Sequence, residues 1–272
     1  VTETKKKKGE AALTTKEGGV LAPYDYGDAS GSGFEETTAD DFAIPFISIL
    51  QSMSPQVMKG KPEYLEGASA GNLFNTVTGE VYEGEEGVII VPCCRQFVTV
   101  EWLPREKGGG LVGMHDPKGD LVTQAKSRAQ EFGAWKTEEG NDLVDTFYLY
   151  SLILDSVDAD EPTGLPVVIT FTSTKIKKYR QAMSKWRAIK GSPPLYAFRV
   201  RLRAVNDSNN KGDFYNYDMS PAVGSSYSEC LLPPNHGVFQ AGARFMEQVQ
   251  SGTMRADFSS QQAAGGSSEP AF

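Results

Sequence analysis

The chain reads as an α+β, β-rich protein, a mostly antiparallel curved sheet with two or three helices. Three observations carry that expectation. Short apolar or alternating runs recur along the chain, bounded by Gly, Pro, Asn and Asp. Gly (28) and Pro (15) are frequent among the 272 residues, which favours turns and strands over long helices. Apolar residues at helical spacing occur in only two or three segments. With no internal repeat at a fixed period, one domain over 39–250 is expected, between an N-terminal tail (1–38) and a C-terminal tail (251–272).

Residues 1–38 carry the lysine run Lys5 to Lys8 and scattered Gly, Ser and Thr, without periodicity, and read as disordered. Order is expected from about Ala39. The apolar segment Phe42 to Leu50 contains Pro45, which argues against a long helix and predicts a short strand or a single helical turn. Gly71 to Val81 predicts a short strand and a turn at Thr78-Gly79. Gly87 to Pro92 and Phe97 to Leu103 read as two separate strands. Gly108 to Gly110 lacks the spacing of a phosphate-binding loop and reads as a mobile loop. A helix is expected over Asp120 to Trp135, with Leu121, Ala125, Arg128 or Ala129, and Phe132 near one face. Leu143 to Asp155 is the strongest strand signal, and Val167 to Thr172 is a second buried strand.

Ser173 or Thr174 is placed to cap a helix running to about Ile189. There Ile176, Tyr179, Met183 and Trp186 form an apolar stripe. Tyr196 to Val205 alternates cleanly: Phe198, Val200, Leu202 and Ala204 face one way, and Arg199, Arg201 and Arg203 the other. Asp213 to Met219 reads as the partner strand. Val238 to about Gln250 predicts a last helix with Phe239, Ala243, Met246 and Val249 or Gln250 on one side. The Gly/Ser/Gln/Ala-rich end from Ser251 reads as disordered.

Charge is sorted along this chain. The net charge is −8, yet Pro162 to Asn206 contains ten of the 27 Lys and Arg and none of the 35 Asp and Glu. Gathering cations into one block of an acidic protein marks a place where polyanions dock. The candidate phosphate contacts are Lys175, Lys177, Lys178, Arg180, Lys185, Arg187, Lys190, Arg199, Arg201 and Arg203. The three strand arginines would stand about 6.6 Å apart, twice the rise per residue. That spacing suits a stretched single strand better than the ~3.4 Å steps of stacked DNA. Arginine can both grip phosphate and stack on bases. The alternative is an outer sheet face whose arginines pair with acids such as Asp145 or Asp155. Aromatic residues interleave with the cations. Tyr179, Trp186 and Phe198 are expected in the core, whereas Tyr215, Tyr217 and Trp102 are the candidate stacking surfaces.

Other chemistries find little support. Cys93, Cys94 and Cys230 make no disulfide framework and fit a reducing cytosol. With His115 and His236 they follow no zinc spacing, so no metal or other cofactor is expected. No Ser or Cys nucleophile pairs with a histidine in a recognised motif, and no enzymatic activity is expected. No secretory leader or membrane span is expected either.

The closing residues Glu269, Pro270 and Phe272, behind a Gly/Ser/Gln-rich linker, resemble the C-terminal tip of bacterial and phage single-stranded-DNA-binding proteins. In that family an acidic peptide ending in Phe recruits replication partners; here one acid stands where several are usual, and Ala271 separates Pro270 from Phe272. The segments DFAIPFISILQSMSPQV and VVITFTSTKIKKYRQAMSKW resemble tailed-phage early proteins thought to bind single-stranded DNA. The resemblance implies an OB-like barrel, binding without sequence preference, and a role in phage DNA replication, recombination or transcription in the host cytoplasm. The expected partner is single-stranded DNA, with RNA as the alternative polyanion and replication or transcription proteins at the tip. The competing reading is a phage structural or assembly protein whose basic block meets an acidic neighbouring subunit, forming a homo-oligomer.

Overall fold

The structure is a computed structural model that describes residues 32–33, 44–164, 166–210, 212–254 and 256. The Lys5 to Lys8 run, most of both expected tails and the Glu269, Pro270 and Phe272 tip lie outside the described residues. Among those residues, ten strands form one mixed sheet. They are β1 (Phe46–Ile49), β2 (Leu73–Asn75), β3 (Val81–Tyr82), β4 (Val88–Trp102), β5 (Leu111–His115), β6 (Trp135–Lys136), β7 (Asp142–Leu154), β8 (Val167–Phe171), β9 (Val200–Asn209) and β10 (Gly212–Pro221). The helices are α1 (Asp120–Arg128), α2 (Lys175–Arg187) and α3 (Gly237–Gln250). The order across the sheet is β10-β9-β4-β7-β8-β1-β2-β3, with β5 added to β4 and β6 to β7. Neighbours are antiparallel except β1 and β8, where Phe46 faces Val168 and Ile47 faces Ile169 in parallel.

The spine is β4. The two strands expected at 87–92 and 97–103 are one strand of 15 residues. Pro92 sits inside it, although proline cannot donate to a ladder. The register shifts between Pro92 and Cys94, so Cys93 is the extra residue of a bulge. A bulge lets the strand pass the proline and adds twist. Along its length β4 pairs with β7, while its other edge takes β9 at Val88–Ile90 and β5 at Thr99–Trp102. Gly87 makes the approach to β9 feasible. It has φ +69°, and a Cβ there would stand 2.1 Å from the Leu202 carbonyl oxygen.

The sheet curls into a half-barrel, and alternate residues of its strands feed two cores. From β7, Phe147, Leu149 and Ile153 point to the inner face, while Tyr148, Tyr150, Leu152 and Leu154 point outward. Helix α2 fills the inner face: Tyr179 packs on Phe147 and Phe171, Trp186 on Phe198 and Tyr227, and Ala182 joins the same core. Helix α3 covers the outer face with Val238 and Phe245. The curl brings distant elements together: the Tyr217 hydroxyl donates to the Ile47 carbonyl at 2.8 Å, and Ala204 N donates to the Gly84 carbonyl at 2.9 Å.

The helices differ from expectation in their ends and faces. α1 stops at Arg128, because Ala129 has the extended ψ of 133°. Its buried residues are Val122 and Ala125, while Leu121 and Phe132 are exposed. In α3 the fully buried residues are Val238, Gly242 and Phe245, while Phe239, Met246 and Val249 of the expected row pack half-buried against the same core. Gly242 sets that packing: a Cβ would stand 2.6 Å from the Tyr196 Cβ, so only glycine lets the helix seat so closely. The stretch before Val200 is a short 3₁₀ turn, Leu195–Ala197, rather than strand.

Candidate nucleic-acid interface

The stripe predicted for α2 faces inward: Tyr179 and Trp186 are buried, and Ile176 and Met183 pack against the same core. The helix has no side-chain cap. Thr174 makes no cap bond, and Ser173 adopts φ +50°. The first N–H groups are met instead by the backbone carbonyls of Thr172 and Ser173.

Lys175, Lys177 and Lys178 begin this helix, and no acid lies in its first turn. That placement opposes the helix dipole, which favours anions at an N-terminus. Helix stability therefore gives no reason for these lysines. Lys177, Arg180, Lys185, Arg187 and Lys190 are exposed and Lys178 is half-buried. Among the described residues, the ion pairs within 4.0 Å involve none of them. The exposed Arg95, on β4, adds a cation beside α2. Burial raises the pKa of the Tyr179 phenol, and the Arg95 charge opposes that rise. Lys175 is different. Its ammonium lies 5.2 Å over the Tyr217 ring, and burial lowers its pKa from 10.5 to about 8.

Two clefts flank α2. The larger, about 510 Å³, lies between α2 and the α1–β6–β7 side, with Phe132, Trp135, Val144, Ile176 and Arg180 among its walls. The smaller, about 340 Å³, lies between α2 and the β9–β10 hairpin, walled by Lys178, Asp207, Phe214 and Asn216 among others. Lys177 and Gln181 line both. A hydrogen bond from Asn216 holds the Asp207 carboxyl below its ordinary range, with Ser208 N–H, Lys178 and Lys177 adding to the effect. Under α2 the rings of Phe97, Phe147 and Tyr179 stack, with centroids 4.3 and 4.6 Å apart, and the Arg180 guanidinium lies 5.9 Å above Phe147.

The structure divides the cationic block that the sequence presents as one surface. Arg199, Arg201 and Arg203 lie on the outer face of the sheet, because Phe198, Val200, Leu202 and Ala204 take the inner face under α2. All three are half-buried and engaged. Arg199 donates to the carbonyls of Val157 and Cys230, and Arg201 donates to that of Glu86. Arg203 reaches Asp218 at 3.3 Å and Ser220 at 3.2 Å. The carboxylate partner is thus Asp218 of the facing strand. Asp145 pairs with Lys126 at 2.8 Å instead.

Of the expected stacking rings, Tyr217 is a correction. It is 1% exposed, and its hydroxyl is spent on Ile47, so no base can reach it. Tyr215 is half-buried against the inner core, and Trp102 is half-buried against the outer cluster with Leu111 and Met114. Three residues not singled out as candidate contacts lie beside α2: Arg95 next to Tyr179, and Phe132 and Phe214 in the cleft walls. Arg95 had a signal, since Arg95-Gln96 follows the unbroken apolar run Val88 to Cys94. Phe132 was hidden by the expectation of a longer α1.

Elsewhere, Glu101 is buried, accepts from Asn141 Nδ2 at 2.7 Å and lies 2.7 Å from His115 Nε2. The three cysteines are free and buried, and burial raises the Cys93 thiol well above its ordinary pKa. Among the described residues, no group of three His, Cys, Asp or Glu is placed to hold a metal ion, and no helix is long and apolar enough to cross a membrane. A family model described as "Pam3 phage gp34-like protein" matches residues 11–255. No curated protein and no solved structure matches the chain.

Proposed function

The chain belongs to the Pam3 phage gp34-like protein family and is a phage protein; from that premise we propose that it binds single-stranded DNA without sequence preference. Its service would be phage DNA replication, recombination or transcription in the host cytoplasm. The observation that carries the reading is the row of exposed cations on α2, free of ion pairs among the described residues and flanked by a cleft on each side. Unpaired cations repel one another on a helix, so an anionic partner is the simplest compensation for holding them together.

Single-stranded rather than duplex nucleic acid fits the clefts, because Phe132 and Phe214 line them and offer ring faces that only unstacked bases can use. The OB-like reading of the sheet belongs to the same proposal. It is supported by the strong curl, by antiparallel pairing everywhere except β1 with β8, and by the helix seated in the inner face.

The test is a titration of labelled oligo-dT, and of duplex DNA of equal length, at two salt concentrations. A variant carrying K177E, K178E, R180E, K185E and R187E is compared with the wild type. The expected result is preference for the single strand and a loss of at least about tenfold in the variant. Affinity should fall with salt at a log–log slope of about −0.7 per phosphate contacted. Affinity indifferent to salt and to charge reversal, or a preference for duplex, overturns the reading. Salt-dependent oligomers in light scattering, with no oligonucleotide bound, would favour the assembly role instead.

A further inference from the structure

Phe132 is 93% exposed, the most exposed of the large apolar side chains among the described residues. A bare phenyl ring on a surface is disfavoured, since burying it would remove apolar area from water. It is held in place nonetheless. Its ring meets that of Trp135 edge-on at 5.5 Å and 85°, and Lys126 Nζ in turn lies 4.3 Å over the Trp135 ring. The ring stands at the mouth of the larger cleft, whose volume of about 510 Å³ falls among those of small-molecule sites, about 300–1,000 Å³.

The cleft has a chemical polarity. Leu143, Val144 and Ile176 provide apolar wall, and Lys177 and Arg180 stand on the α2 side. Asp145 is the acid in the lining, and it is already occupied. Lys126 Nζ lies 2.8 Å from both of its oxygens, and Thr99 Oγ1 donates to it at 2.7 Å. The free charge facing the cleft is therefore positive, beside an apolar slot with an aromatic lip. That combination suits a flat ring tethered to an anion.

We infer that the larger cleft holds one unstacked nucleotide of the bound single strand, its base against Phe132 and its phosphate between Lys177 and Arg180. The inference rests on the single-strand-binding reading and adds where a base goes. Lys177 and Gln181 face both clefts, so the next nucleotide crosses α2 toward Phe214.

The experiment uses the full chain with oligo-dT, and it compares wild type, F132A and F132W. F132A is expected to keep its melting temperature, because the side chain is exposed. Its affinity should drop about 5- to 150-fold, the range for losing one base-stacking ring. The salt slope should stay unchanged, because no phosphate contact is removed. F132W should recover most of the loss. Photo-crosslinking of wild type to an oligonucleotide carrying 5-bromodeoxyuridine should mark the 129–135 segment. If wild type binds oligo-dT while F132A binds equally well, or if crosslinks form only elsewhere, the base position is wrong and the binding reading stands. If wild type binds no oligo-dT, both fall together.

Discussion

The side chain of Gln51, just past β1, spans to Tyr215 on β10 with two hydrogen bonds of 2.9 Å. Its Nε2 donates to the Tyr215 carbonyl, and its Oε1 accepts from the Tyr215 N–H. One amide side chain thus does for a single residue what a paired strand does, on an edge where β10 has no strand neighbour.

Gln51→Ala should leave both Tyr215 backbone groups without that partner and lower stability by about 1–3 kcal/mol, measured by urea unfolding. Gln51→Glu separates the two bonds. At neutral pH a carboxylate still accepts from Tyr215 N–H but repels its carbonyl. Relative to wild type, this variant should be weaker at pH 7 and recover toward pH 4, where a protonated carboxyl donates again. An equal deficit at both pH values would mean that the carbonyl bond contributes nothing.

The strand arginines should behave as structural residues. Arg199→Ala removes donors from two backbone carbonyls, those of Val157 and Cys230, and should cost about 1–3 kcal/mol. Oligo-dT affinity of the folded variant should stay within about twofold of wild type. A large loss of affinity at unchanged stability would return the outer sheet face to the binding surface.

Lys175 gives a pH signature. Burial lowers its pKa from 10.5 to about 8 in the folded protein, so between those values the unfolded chain binds the proton that the native state has released. Stability from this group therefore rises with pH across that window, and it is absent below about pH 8. Lys175→Met should stabilise the protein at pH 7 by on the order of 2 kcal/mol, and the difference should shrink to nothing as pH approaches 10.5. Unfolding free energies of the pair, measured from pH 7 to 10.5, check this. A constant difference would place the amine in solvent.

Much of the fold is legible in the sequence where a face repeats. The Ile176, Tyr179, Met183 and Trp186 stripe marks the side of α2 that packs inward, and the alternation from Phe198 to Ala204 marks the inner side of β9. Periodicity states which side of an element is wet, and here it is right for both. It does not state where two wet sides end up relative to each other. The cations of α2 and the arginines of β9 are neighbours in the chain, yet a sheet lies between them, because both elements turn their apolar sides to the same core. Distance in three dimensions also hides the partners of the arginines: Glu86, Val157 and Cys230 supply backbone carbonyls, and composition carries no trace of a carbonyl. Phe132 is lost for a local reason, since one extended residue at Ala129 takes it out of the helical register.

Helix α2 is anchored by Tyr179 and Trp186 in the inner core and carries Lys177, Arg180 and Lys185 on its outward side. Its charges are therefore borne on a stiff mount, so the proposed ligand would find the backbone beneath them already ordered and only side-chain tips left to settle. A consequence follows for variants deep inside the molecule. Shaving Trp186 would tilt the mount and misalign every cation at once, so a defect in ligand capture can originate at a residue that no ligand touches.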